Sequence, residues 1–230
     1  MNTSTSRILS LALVASLAAC AGPRLHDRTQ TAFSPRGAPV SVIHEQIVQP
    51  LKGKCIVVDP GHGGKDPGAS AVDGSREKDY NLTIARLVAQ QLREAGATVV
   101  MTRSSDKFIS LDDRAEMADR HRCDLFISIH ADAASNPSAR GATVYHARGA
   151  LAASNHCGEE LLGALHQAGF AHRGLREAGF RVLMGHSRPS LLLECGFLTN
   201  TSDAANLSNP DWRARISDAV CSGVIAALQS

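Results

Sequence analysis

The stretch Cys55-Ile-Val-Val-Asp-Pro-Gly-His-Gly-Gly64 constrains the fold more than any other part of the chain. Its apolar, β-branched run stops at an Asp-Pro pair and meets a glycine-flanked histidine at once, which reads as a buried strand breaking into a loop. Gly61, Gly63 and Gly64 lack a Cβ, so the backbone there can take positive φ and let another group come close. His62 is thereby presented at the carboxyl end of a strand, the edge on which open α/β sheets build their sites. Two later runs echo the arrangement. Asp124-Leu-Phe-Ile-Ser-Ile-His130 ends in a histidine, and Ser190-Leu-Leu-Leu-Glu194-Cys carries a single charge.

Between these runs the period becomes helical. After a polar, Gly-rich loop over 64–76, Leu82, Ala85, Val88, Ala89 and Leu92 share one face of a helix that begins at Glu77 and stops at Gly96. Ala97 to Thr102 reads as a second strand. A helix starts near Ser110, with Asp113 in capping-box spacing, and runs to about His121. Beyond His130 the pattern predicts a turn over 135–140, a strand over 141–146, a helix over 154–168 and a short strand from Phe180 to Met184. Asn209, Pro210 and Asp211 open a last helix with Trp212, Ile216, Val220 and Val224 turned inward. Strands alternating with helices predict an α/β fold, a single domain whose mostly parallel, twisted sheet has helices on both faces.

The amino-terminal stretch is of another kind. Arg7 precedes an apolar core from Ile8 to Leu17, the make-up of an export signal, and Leu17-Ala18-Ala19-Cys20 resembles a bacterial lipobox. The expectation is a signal peptide over 1–19, lipid on Cys20, a tether over 20–51 and a single folded domain over 52–230. An ordinary secretory signal is the alternative. Ala21 lacks the Asp that suggests inner-membrane retention, so the resemblance favours a periplasmic protein anchored to the outer membrane. Within the tether, Val40 to Val48 could form a short strand. The net charge of +2 implies no field for nucleic acid, and none is expected as a partner. Besides Cys20 there are Cys55, Cys123, Cys157, Cys195 and Cys221. Pairing of Cys55 with Cys123 and of Cys157 with Cys221 is one reading; five buried thiols is the other.

Four polar residues stand at element boundaries: His62, Glu77, His130 and Glu194. Two histidines and a carboxylate suit catalytic zinc, leaving a fourth position for water. Each also has a plainer reading: Glu77 could simply favour a helix amino terminus, and Glu194 could be a structural charge. Asp59 and Asp132 flank the histidines and either orient them or cap turns. Arg103, Asp106 and Arg114 read as a structural ion-pair network, His186 as an exposed loop histidine with a place lining the cleft as the alternative, and Cys195 as a core thiol.

Five pieces in order, Val58-Asp-Pro-Gly-His-Gly-Gly64, Glu77-Lys78-Asp79, Thr102-Arg103 with Asp106, Ser128-Ile-His-Ala-Asp132 and Glu194-Cys-Gly-Phe-Leu-Thr-Asn200, resemble the zinc-dependent N-acetylmuramoyl-L-alanine amidases of the amidase type 3 family. The resemblance spans roughly 54–228. It implies one zinc ion on His62, Glu77 and His130, with Glu194 as catalytic carboxylate. It implies peptidoglycan as substrate, cut between the lactyl group of N-acetylmuramic acid and L-alanine. A catalytically silent wall-binding lipoprotein and a zinc peptidase acting within the stem peptide are the alternatives. Some family members insert a regulatory helix between the second histidine and the glutamate; residues 131–193 are filled by the elements above, so no plug is expected. Any protein activator is left open.

Overall fold

The computed structural model describes residues 49–229, which fall within one compact unit, 46–230. The signal, Cys20 and the strand expected from Val40 to Val48 lie outside the described residues. The elements follow in the order β1 (Cys55–Pro60), α1 (Glu77–Glu94), β2 (Thr98–Met101), α2 (Leu111–Arg120), β3 (Leu125–Asp132), β4 (Ala142–Ala147), α3 (Ala152–Gln167), β5 (His172–Ala178), α4 (Arg181–Met184), β6 (Ser190–Phe197), α5 (Thr201–Ser208) and α6 (Pro210–Gln229). The six strands form one sheet in the order β2-β1-β3-β6-β4-β5. All neighbours are parallel except β4 and β6.

Alternation along each strand sorts side chains between two cores. Ile56 and Val58 of β1, Leu125, Ile127 and Ile129 of β3, and Leu191 and Leu193 of β6 face a large core shared with α1, α3 and α6. Val57, Phe126 and Leu192 face a smaller core against Ala118 of α2 and Val182 and Leu183 of α4. Fully burying each such apolar side chain contributes roughly 1.5–3 kcal/mol. On this second face Asp59 lies two residues beyond Val57, His130 four beyond Phe126, and Glu194 two beyond Leu192. The same face therefore passes from apolar to polar as it nears the carboxyl edge. Leu51, placed in the tether by composition, is fully buried in the large core and donates its N–H to Ala95 O.

Three local expectations need correction. Phe180 to Met184 is no strand; Phe180 is extended and Arg181–Met184 make one helical turn. The strand is instead β5, which is mostly polar, largely exposed and at the sheet's edge, so it carries no apolar alternation. Helix α5 was not expected either. Asn200 caps it, its side chain accepting from Ser202 N and Asp203 N. Neither cysteine pair is bonded: Cys55, Cys123, Cys157, Cys195 and Cys221 are all free thiols. Cys195 faces the large core, as expected. Among the described residues no helix is long and apolar enough to cross a membrane.

Candidate metal centre

Strand β1 delivers the first histidine through a loop held by two arginines. Arg114, fully buried on α2, pairs with Asp59 Oδ1 at 2.7 Å and donates to Pro60 O at 2.7 Å and His62 O at 2.6 Å. Arg103 donates to Pro60 O at 2.9 Å and Gly61 O at 2.8 Å. The loop's carbonyls thus have fixed, charged donors, and His62 is held at φ 58°, a conformation uncommon for a residue with a side chain. Lys78 and Asp106 secure the next turn, through Gly64 O and Gly64 N. Burial would raise the Asp59 carboxyl, but Arg114 and the Thr102 and Ser128 hydroxyls outweigh it and hold its pKa below the usual range. Asp59 is therefore the anchor of the loop and touches neither histidine.

Glu77, the first residue of α1, is buried and lies between the two imidazoles. His62 Nε2 is 3.0 Å from Oε2, and His130 Nδ1 is 2.9 Å from Oε1. The carboxylate also accepts from Ala69 N at 3.0 Å, Ala131 N at 3.3 Å and Asn81 Nδ2 at 3.1 Å. Asn81 sits one helical turn on, at the i+4 position that faces the same way. Burial would push Glu77 up, but the hydrogen bonds with His130 and His62 dominate and hold it far below its ordinary value. His62 moves the other way: burial would lower it, and Glu77 followed by Asp66 raises it. Asp66 Oδ2 lies 2.8 Å from His62 Nδ1, leaving Nε2 turned towards Glu77.

One ligand atom from each of His62, Glu77 and His130 can be chosen so that all lie within 4.8 Å of one another. Two imidazole nitrogens and one carboxylate oxygen form a donor set that suits zinc. The glycines make room for these side chains. A Cβ on Gly61 would lie 2.1 Å from His130 Cε1. One on Gly68, itself at φ +67°, would lie 2.5 Å from Glu77 Oε2 and 2.7 Å from His62 Cδ2.

Glu194 is brought alongside by register. It pairs with His130 across β3 and β6 and with Thr143 across β6 and β4. The residue is partly exposed, but its Oε2 is sealed from solvent and has no hydrogen-bond partner. Burial, with Glu77 and Asp132 adding negative charge, pushes its pKa well above the ordinary value. A cleft of about 510 Å³ opens here, lined by His62, His130 and Glu194 and by an apolar wall that includes Phe108, Leu111 and Phe180. A second hollow of about 370 Å³, beside Tyr80 and Arg213, includes none of His62, Glu77, His130 and Glu194.

All four candidates thus converge on one sheet edge. Their partners are less well anticipated. Asp66 and Asn81 hold His62 and Glu77, whereas of the two flanking carboxylates Asp59 serves Arg114, and Asp132 accepts from Ala133 N. An aspartate four residues after His62 was the available signal for Asp66. The ion-pair network expected of Arg103, Asp106 and Arg114 holds only in part: Arg114 pairs with Asp59 and Asp106 with Lys78, whereas Arg103 donates to backbone carbonyls. His186 is half-buried rather than exposed: it packs on Phe126 and accepts from Arg188 N, and it is not among the cleft-lining residues.

The sequence profile described as N-acetylmuramoyl-L-alanine amidase matches residues 56–226. N-acetylmuramoyl-L-alanine amidase AmiA of Escherichia coli is 34% identical over 218 residues, covering 75% of this chain and 75% of its own length. N-acetylmuramoyl-L-alanine amidase LytC of Bacillus subtilis is 36% identical over 186 residues, covering 80% of this chain but 37% of LytC. The solved structure of N-acetylmuramoyl-L-alanine amidase AmiC2 of Nostoc punctiforme superposes with a TM-score of 0.71 at 35% identity, covering 78% of this chain and 99% of that one.

Proposed function

The chain belongs to the N-acetylmuramoyl-L-alanine amidase family, and from that premise we propose that it is a zinc-dependent peptidoglycan hydrolase. The bond cut is the amide joining the lactyl group of N-acetylmuramic acid to L-alanine of the stem peptide. One zinc ion would be held by His62, Glu77 and His130. The observation that carries this reading is the pairing of Glu194 with His130 in strand register, beside three donors whose ligand atoms lie within 4.8 Å of one another.

Zinc, when bound, supplies Lewis acidity: it brings the pKa of water towards ~7 and polarises a carbonyl. The protein's own residues do the rest. Asp66 accepts from His62 Nδ1 and so keeps Nε2 free to act as a ligand. Asn81 and the N–H groups of Ala69 and Ala131 hold the Glu77 carboxylate in place. The Glu194 carboxylate takes the proton of the attacking water and passes it to the departing amine nitrogen, a role typically worth ~10²–10⁴-fold. A carboxyl raised above its usual pKa is the stronger base for that task.

Digesting defined muropeptides with the full chain, with and without chelator, and weighing the products tests the reading. Cleavage at the lactyl amide that chelation abolishes is expected. Fragments cut within the stem peptide would instead mean a peptidase, and zinc binding without turnover a silent wall-binding protein. Glu194→Gln should keep zinc and lose turnover, whereas His62→Ala should lose zinc; substantial cleavage of sacculi by the glutamine variant would sink the assigned role. We further place the enzyme in the periplasm, tethered by lipid on Cys20 to the outer membrane. Exchanging that signal for a soluble one should alter access to sacculi and leave turnover of a small muropeptide unchanged; loss on both substrates refutes the tether's role.

A further inference from the structure

The sheet register continues beyond Glu194. His130 pairs with Glu194, and Glu194 with Thr143, so one transverse row of side chains runs across β3, β6 and β4. On β5 the pairing shifts: Ala142 opposes His172 and Val144 opposes Leu175, so Arg173 and Gly174 together oppose Thr143. This bulge, with Gly174 at φ 89°, returns the alternation so that Arg173 and Arg176 both lie on the site face. Tyr145 directly opposes Arg176. Two contacts agree with this placement. The Arg173 guanidinium lies 5.2 Å from the ring of Phe197, which opposes Asp132. Both guanidiniums also act electrostatically on Asp132 and Tyr145.

Arg173 and Arg176 are exposed, and neither makes a hydrogen bond or ion pair among the described residues. Elsewhere around the site the arginines are consumed: Arg114 by Asp59, Arg103 by backbone carbonyls, Arg181 by Asp112. The cleft itself is walled by Phe108, Leu111 and Phe180 and does not include Arg173 or Arg176; the two cations lie beyond it, on the edge strand β5. Strands lie ~4.8 Å apart, so three steps from His130 reach Arg173 in about 14 Å. An extended peptide advances ~3.3–3.6 Å per residue, so that distance is about four residues, less the reach of the arginine side chain.

We propose that Arg173 and Arg176 form a carboxylate-binding subsite that selects an acidic stem peptide and lays it across the sheet from His130 towards β5. The proposal rests on the amidase reading and adds the direction and charge of the peptide. Arginine suits the role because its planar fork binds a carboxylate through two parallel hydrogen bonds, and stacking on Phe197 holds the Arg173 fork ready.

The test compares the full chain with Arg173→Ala/Arg176→Ala on a muropeptide with free stem carboxylates and on the same muropeptide with those carboxylates amidated. The double variant should raise KM about tenfold on the free acid, leave kcat within about twofold, and match the wild type on the amidated substrate. Arg173→Lys should restore part of the loss. Equal changes on both substrates, or none, overturn the subsite. Calorimetric Kd values in the Glu194→Gln background give a reading independent of turnover. If the wild type leaves the lactyl amide intact, the amidase reading fails, yet the Kd ratio between the two muropeptides still decides the subsite.

Discussion

Glu77 and Glu194 are both carboxylates at the sheet edge, and their surroundings push them in opposite directions. Burial works against ionisation in each. At Glu77 it is outweighed by hydrogen bonds with His130 and His62, so that residue stays an anion fit to hold a metal. At Glu194 nothing compensates: Oε2 has no partner, and Glu77 and Asp132 add repulsion. That contrast supports the proposed division of ligand and base, since divergent environments suit divergent protonic roles. A consequence concerns stability. Because the folded pKa of Glu194 exceeds its unfolded value, its contribution is most favourable below the unfolded pKa and is lost as pH rises towards the folded one. Glu194→Gln should therefore raise the Tm of the metal-free protein at pH 7, by roughly 2–4 °C for each kcal/mol relieved, and the gain should vanish near pH 4. Thermal melts of both proteins across that range check it; a variant no more stable at pH 7 would contradict the environment described. For Asp66 the expectation is about metal affinity: Asp66→Ala should weaken zinc binding ~10–100-fold, read by chelator competition, with the melting temperature little changed.

At the scale of elements, the loop after β1 owes its shape to helices and strands remote from it in the chain. Arg114 on α2 binds Asp59 and the carbonyls of Pro60 and His62, and Arg103 beyond β2 binds Pro60 and Gly61. Arg114→Met should cost on the order of 3–5 kcal/mol in urea unfolding, because it leaves the fully buried Asp59 charge without its partner. A loss below about 1 kcal/mol would mean the loop does not depend on this clamp. Gly61→Ala makes a different demand. Its Cβ would fall within 2.1–2.6 Å of three atoms of the His130 ring, so that ring must move out of the donor set. Zinc stoichiometry should fall well below one per chain while far-ultraviolet circular dichroism stays the same.

For the whole molecule, Asp59 and Glu194 impose opposite pH slopes. Asp59, depressed in the fold, contributes stability present above its unfolded pKa and lost as pH falls through the folded value. Melts of Asp59→Asn should therefore show a deficit at pH 7 that shrinks on acidification, the reverse of the trend at Glu194. Much of this architecture was legible in the chain. Apolar runs ending in His62, His130 and Glu194 marked the strands and the edge at which each ended, because alternation and turn chemistry act over a few residues. The exposed strand β5 escaped notice, because an edge strand with few apolar contacts need not alternate; the polar opening of α5 passed as a loop for a similar reason. Asp66 and Asn81 offered only a four-residue spacing from His62 and Glu77, and spacing alone does not establish a hydrogen bond, which is defined by distance. From the chain alone, local pattern sets His62 between glycines at a strand end, the candidate set and the sheet that could unite it. That the four side chains share one edge follows from the folded arrangement alone. Strand order and register, set by hydrogen bonding between segments far apart in the chain, place Glu194 against His130 and bring Glu77 between the two imidazoles.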